Sequence, residues 1–236
     1  STKLAGLKNG EFGNYLESGY WTKELTVDYW QRNALEMPDQ EAIFDGGVRL
    51  NWRQASEYVD RLIIGLKGYG LDQNDVLLVQ AQNSVWLALL RLACEKAGII
   101  LTFLHYGFRR NEIEHVIEIT RPVGAIIPGT TEKFDFHGLY QDLQNRYGAL
   151  KILLKIDELG SAKLPSVQQL VERSKLDEQL PVSPASREFL PGDFTSIVTS
   201  SGTTGAPKCV EFSSIPRLAS GRVYIERLKL TQKDKV

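Results

Sequence analysis

Ten consecutive positions concentrate the chemistry available to this chain: Thr199-Ser200-Ser201-Gly202-Thr203-Thr204-Gly205-Ala206-Pro207-Lys208. The stretch holds five hydroxyls, two glycines and one lysine. Glycine tolerates positive φ and lets backbone approach a ligand closely, so successive N–H groups can converge on phosphate oxygens. The hydroxyls add donors, and Lys208 adds a mobile positive charge. Each charge-assisted hydrogen bond contributes about 1.5–3 kcal/mol, so about four or five suffice to hold a triphosphate. The pattern differs from a Walker P-loop, whose Gly-Lys-Ser/Thr opens directly into a helix. Here Pro207 precedes Lys208 and strand-like Cys209-Val210 follows, so phosphates would meet a strand–loop–strand. A long hairpin connection without a ligand is the alternative, and it would not need so many donors beside a lysine.

The surrounding composition makes any such binding local. Across 236 residues, 28 basic and 29 acidic side chains leave a formal charge of -1, so no global field draws nucleic acid or an anionic membrane. With 42% hydrophobic and 24% charged residues the chain falls in the globular range and can bury a core. Cys94 and Cys209 are too few and too far apart for a disulfide framework. Residues 1–13 hold no apolar stretch long enough for a signal peptide or membrane span, so a cytoplasmic setting is expected.

The loop must be held by elements that alternate along the chain. A helix is expected from Thr26, as its cap, to about Met37, where Pro38 stops it, followed by two strands around Asp45-Gly46-Gly47. Ala55, Val59, Leu62, Ile63 and Leu66 recur at helical spacing behind Asn51. The short apolar run from Val76 to Val79 suits a strand buried on both faces. The beat continues with a helix from Ser84 to Ala97, a strand from Ile99 to Leu104, and a helix from Asn111 to Ile119. A strand from Ala125 to Ile127, a helix from Leu139 to Tyr147 and a strand from Leu150 to Leu154 follow. Such alternation predicts an α/β fold, a mostly parallel sheet with helices on both faces.

After a short helix around Val167 to Arg173 the pattern loosens toward Pro181, Pro184 and Pro191. We expect residues 1–180 to form a first α/β subdomain with its N-terminal segment, 181–192 a proline-rich linker, and 193–236 the start of a second α/β subdomain. Strands from Phe194 to Val198 and from Val210 to Phe212 then flank the donor-rich loop.

The segment Ser200 to Lys208 resembles the phosphate-loop signature of the adenylate-forming superfamily, which includes acyl-CoA synthetases, aryl-acid AMP ligases, luciferases and peptide-synthetase adenylation domains. The lead-in Asp193-Phe194-Thr195-Ser196-Ile197-Val198 is similar to the strand that feeds this loop in that family. Leu50-Asn51-Trp52-Arg53-Gln54, Asn83-Ser84 and Lys96-Ala97-Gly98-Ile99-Ile100 resemble further family landmarks in family order, so the likeness runs from about Tyr20 to the end. Gly19-Tyr20-Trp21 and the stretch from Phe103 to Ile127, with Arg109-Arg110, look most like the aryl-acid AMP ligase and small-acid CoA ligase branches.

The resemblance implies a two-step reaction. A carboxylic acid is activated with ATP and Mg2+ to an acyl-adenylate, and the acyl group passes to CoA. Thr199, Ser200, Ser201, Gly202, Thr203, Thr204, Gly205 and Lys208 are the implied ATP phosphate-binding residues. The catalytic residues, the adenine and acyl pockets and the mobile C-terminal domain are implied beyond Val236, so the chain is expected to be an N-terminal part that is inactive alone. A ligase that loads a carrier protein, or a noncatalytic nucleotide-binding fragment, remains open. Cys209 stands where the family usually has glycine, and Ser214 where it often has histidine.

Other candidates have plainer readings. His105, His115 and His137 are accompanied by no Cys, Asp or Glu cluster at ligand spacing, and no metal site is expected. Arg109 and Arg110 follow a strand end, where sheets of this class place ligands, although paired arginines at a helix start are usually solvated. Tyr15, Tyr20, Trp21, Tyr29 and Trp30 read as a packed N-terminal segment.

Overall fold

The structure is a computed structural model and describes residues 11–19, 21–128, 133–156, 164–174, 189, 192–200, 205–231 and 234. The elements run α1 (Glu11–Glu17), α2 (Thr26–Glu36), β1 (Glu41–Asp45), β2 (Val48–Asn51), α3 (Trp52–Gly68), β3 (Val76–Gln80) and α4 (Val85–Ala97). They continue with β4 (Ile100–Leu104), α5 (Arg110–Thr120), β5 (Gly124–Ile127), α6 (Phe136–Arg146), β6 (Ile152–Lys155) and α7 (Val167–Arg173). The last are β7 (Phe194–Ser200), β8 (Lys208–Ser213) and α8 (Ser214–Leu228).

Local chemistry fixes the boundaries. Asn51 starts α3 through a reciprocal cap: its side chain accepts from the Gln54 N–H at 2.8 Å, and the Gln54 carboxamide oxygen accepts from the Asn51 N–H at 3.0 Å. The α4 N-terminus is satisfied twice, by Ser84 Oγ accepting from Leu87 N–H and by Asp45 Oδ2 accepting from Val85 N–H at 2.9 Å. Gly98, at φ 78°, ends α4 in the left-handed conformation that glycine adopts without strain. Thr26 proves to be the first residue of α2 rather than its cap. Leu25 holds the cap position, and Asp28 reaches back to the Leu25 N–H at 2.8 Å.

β1 and β2 form a small antiparallel hairpin, and the other six strands form one sheet in the order β6-β5-β3-β4-β7-β8. The first five run parallel, and β8 returns antiparallel along β7. Alternate residues of the strands feed two cores. Leu77, Val79, Leu101, Ile126, Leu154 and Ile197 pack on one face under α3, α4 and α7. Leu78, Leu104, Ala125 and Ile127 pack on the other under α5 and α6. The expected parallel sheet with helices on both faces is therefore present.

The proline-rich linker expected between two subdomains falls largely outside the described residues. Strands from both sides of it share one sheet, because β7 pairs with β4 through Leu101↔Ser196, Thr102↔Ile197 and Phe103↔Val198. Among the described residues no helix is long and apolar enough to cross a membrane.

Candidate nucleotide-binding site

β7 and β8 present the donor-rich loop at the edge where the parallel strands end. Ser200 and Lys208 are register partners at the last rung, and Thr199 pairs with Cys209. Both Ser200 and Lys208 are exposed. Gly205, at φ 91°, occupies backbone space that a side chain rarely adopts, so the turn there favours glycine. Ser201, Gly202, Thr203 and Thr204 lie outside the described residues.

Thr199 differs from the rest of the group. Its hydroxyl donates to the Phe103 carbonyl at 2.9 Å, tying the end of β7 to β4. That bond commits its proton to the scaffold and leaves only oxygen lone pairs for other partners. Cys209 is half-buried and packs against both cores, and burial pushes its thiol above the ordinary range. The residue that could stiffen the loop exit is thus itself wedged into the sheet.

The same edge carries a buried polar anchor that the sequence reading passed over. Gln80, fully buried at the end of β3, donates from Nε2 to the carbonyls of His105 at 3.1 Å, Tyr106 at 3.2 Å and Phe108 at 3.0 Å. Its Oε1 accepts from the Tyr140 hydroxyl at 3.1 Å. One side chain so fixes the turn after β4, beside the strand that supports Thr199. A glutamine closing an otherwise apolar run was the available signal.

Arg109 at the cap of α5 and Arg110, its first residue, line an open cavity of about 550 Å³ with Phe134, Asp135 and Asp142. Arg109 donates to the Tyr106 and Phe108 carbonyls and lies 4.1 Å from the centre of the Phe134 ring. Arg110 pairs with Asp142 at 2.8 Å and Glu114 at 3.6 Å. Both cations thus have structural partners. In the N-terminal segment Tyr15 stacks on Trp21 at 4.6 Å, and Trp30 meets Trp52 edge-on at 4.7 Å; Tyr20 lies outside the described residues. Among the described residues no group of three or more His, Cys, Asp or Glu converges to hold a metal ion.

Residues 30–235 match the AMP-binding enzyme family, and the chain belongs to that family. It is 28% identical over 204 residues to a salicylyl-CoA synthase / salicylate adenylyltransferase from Streptomyces sp, covering 83% of this chain and 35% of that protein. It is 26% identical over 238 residues to the medium-chain fatty-acid–CoA ligase of Escherichia coli, covering 93% of this chain and 38% of the ligase. The fold superimposes on apo MbtA of Mycobacterium smegmatis with a TM-score of 0.82 at 22% identity, over 97% of this chain and 41% of that structure. The chain therefore spans less than half the length of each of these three proteins.

Proposed function

We propose that the complete polypeptide carrying this chain is an AMP-forming acid–thiol ligase, and that this portion grips the phosphates of ATP. A carboxylate oxygen attacks the α-phosphorus, the bond to the β-phosphate bridging oxygen breaks, and pyrophosphate leaves. The CoA thiol then attacks the acyl carbon, loses its proton, and expels AMP. The observation that carries the reading is the β7–β8 hairpin: Ser200 and Lys208 oppose each other at the mouth of a loop that turns at Gly205, inside a family match that covers most of the chain.

The loop's part is electrostatic. Ser200, Ser201, Thr203 and Thr204 hydroxyls, backbone N–H groups around Gly202 and Gly205, and the Lys208 ammonium neutralise charge that develops on the departing pyrophosphate. Thr199 supports them from the scaffold side through its bond to Phe103. Magnesium, if bound with the nucleotide, would supply further positive charge to the same phosphates. The relatives act on a salicylate and on medium-chain fatty acids. By analogy we assign a compact aromatic, alicyclic or medium-chain acid as substrate. A pocket separates neighbouring acids by only about 1–3 kcal/mol per methylene, so activity spreads over several.

Pyrophosphate exchange by the complete polypeptide tests the reading. Gly205→Val and Thr203→Val each slow acid-dependent exchange by at least about tenfold, since one preorganised donor contributes about 2.7–4 kcal/mol. Unchanged exchange in both variants refutes the phosphate role. Absence of exchange in the unaltered protein would instead mark a noncatalytic nucleotide-binding module, and acceptor assays with CoA and a carrier protein decide where the acyl group goes.

A further inference from the structure

Two helices begin against one buried carboxylate. Glu95 of α4 is 2% exposed. Its Oε1 accepts from the Thr26 N–H at 2.7 Å and from the Ser214 hydroxyl at 2.7 Å. Its Oε2 accepts from Arg91 Nη2 at 3.3 Å, and the same Nη2 donates to Thr26 Oγ1 at 3.1 Å. Thr26 and Ser214 are the first residues of α2 and α8, and neither helix has a side-chain hydrogen bond from its own cap residue. The opening turn of a helix leaves N–H donors unpaired and concentrates positive partial charge, so a carboxylate between two such turns serves both.

The node also reaches the loop's strands. Ser214 directly follows β8. Arg217, one turn further along α8, donates to Ser196 Oγ of β7 at 3.0 Å. Burial pushes the Arg217 guanidinium down to about 10, the charge of Arg91 adds to the effect, and Glu95 opposes it. Without the Glu95 charge, two crowded cations would face each other beside β7 and the head of α8.

β8 depends on this junction more than an inner strand would. Among the described residues it is the last strand of the sheet, paired with β7, with Lys208, Val210 and Glu211 exposed. Its position is set by the β7 register and by where its last residue enters α8.

We infer that Glu95 is a positioning residue for the phosphate loop: through Ser214 it pins the β8–α8 junction and so holds Lys208 opposite Ser200, although it touches neither. This inference rests on the phosphate role proposed above. Among the described residues the Glu95 carboxylate bonds to none of the loop, and its effect is on how firmly the loop's second strand is fixed.

The test uses the complete polypeptide. Ser214→Ala deletes one hydroxyl and leaves the Glu95–Arg91 pair, while Glu95→Gln keeps the shape and loses the charge. Since an ångström of misplacement costs up to about a hundredfold, partial release raises KM for ATP about threefold to tenfold in Ser214→Ala and in the same direction in Glu95→Gln, with KM for the acid within about twofold. Backbone hydrogen exchange at Lys208 and Cys209 quickens in both variants, a readout that needs no turnover. If KM for ATP and these exchange rates stay unchanged in Ser214→Ala while Gly205→Val still slows pyrophosphate exchange, the positioning role falls and the phosphate role stands. If Gly205→Val and Thr203→Val both leave exchange unchanged as well, both fall.

Discussion

Tyr140 donates its phenolic hydroxyl to Oε1 of Gln80 at 3.1 Å across 60 positions of sequence, joining α6 to the end of β3. Both side chains are fully buried, and burial pushes the Tyr140 hydroxyl far above its ordinary range, so the donor proton stays in place throughout the working pH range. Tyr140→Phe leaves the Gln80 oxygen without its partner. The expected loss is about 1–3 kcal/mol of stability, read as a lowered urea midpoint with an unchanged m-value. A midpoint equal to that of the unaltered chain would show that the oxygen finds another donor.

Gly124 is required by close approach rather than by backbone conformation. A Cβ there would lie 2.7 Å from Ile152 Cβ and 3.1 Å from both the Ile152 carbonyl and Leu77 Cδ1. Gly124→Ala therefore forces β5 away from β6 and costs about 1–3 kcal/mol. Gly148→Ala is the control, because its Cβ meets nothing within 4 Å and the change stays within about 0.5 kcal/mol. Thermal unfolding of the two variants side by side decides; equal midpoints would contradict the β5–β6 packing.

The two thiols report on burial. Cys94 is fully buried in α4 and Cys209 is half-buried in β8, and both are raised above the ordinary thiol by burial. A raised thiol holds less thiolate at a given pH, so reaction with a disulfide reagent at pH 8 is slow at Cys209 and absent at Cys94 in the native chain. Raising the pH accelerates Cys209, and urea releases both residues. Peptide mapping that finds Cys94 labelled first would overturn the packing of α4.

Much of the fold was legible because its signals are local. Asn51 and Ser84 announced helix starts that the structure keeps within a residue. The runs from Val76, Ile99 and Ala125 announced buried strands, since only a strand covered on both faces can be apolar throughout. α8 escaped notice because it opens with Ser214-Ile215-Pro216 and buries little, so no apolar stripe marks it. Gln80 and Glu95 escaped because their partners lie far along the chain, at Tyr140 and at Thr26 and Ser214. For the site, Gly205 takes a positive φ, Lys208 is the register partner of Ser200, Thr199 braces β4, and residues 201–204 are outside the described residues.

The bond from Thr199 to Phe103 spans 96 positions, and this distance sets an order of assembly. β3 and β4 pair across a single helix, and β5 follows β4 after one more, so their sheet closes through short crossovers. β7 can join only once β4 is there to receive it, because it lies between β4 and β8. Closing the longer segment adds little to the equilibrium cost, about 0.6 kcal/mol per doubling of length, yet it delays the contact in time. The hairpin that carries the donor-rich loop is therefore the late arrival on a preformed platform. In pulse-labelled refolding, amides of β3 and β4 gain protection before those of β7 and β8, and a ribosome-bound chain halted before Phe194 would already have built the surface on which the loop is later mounted.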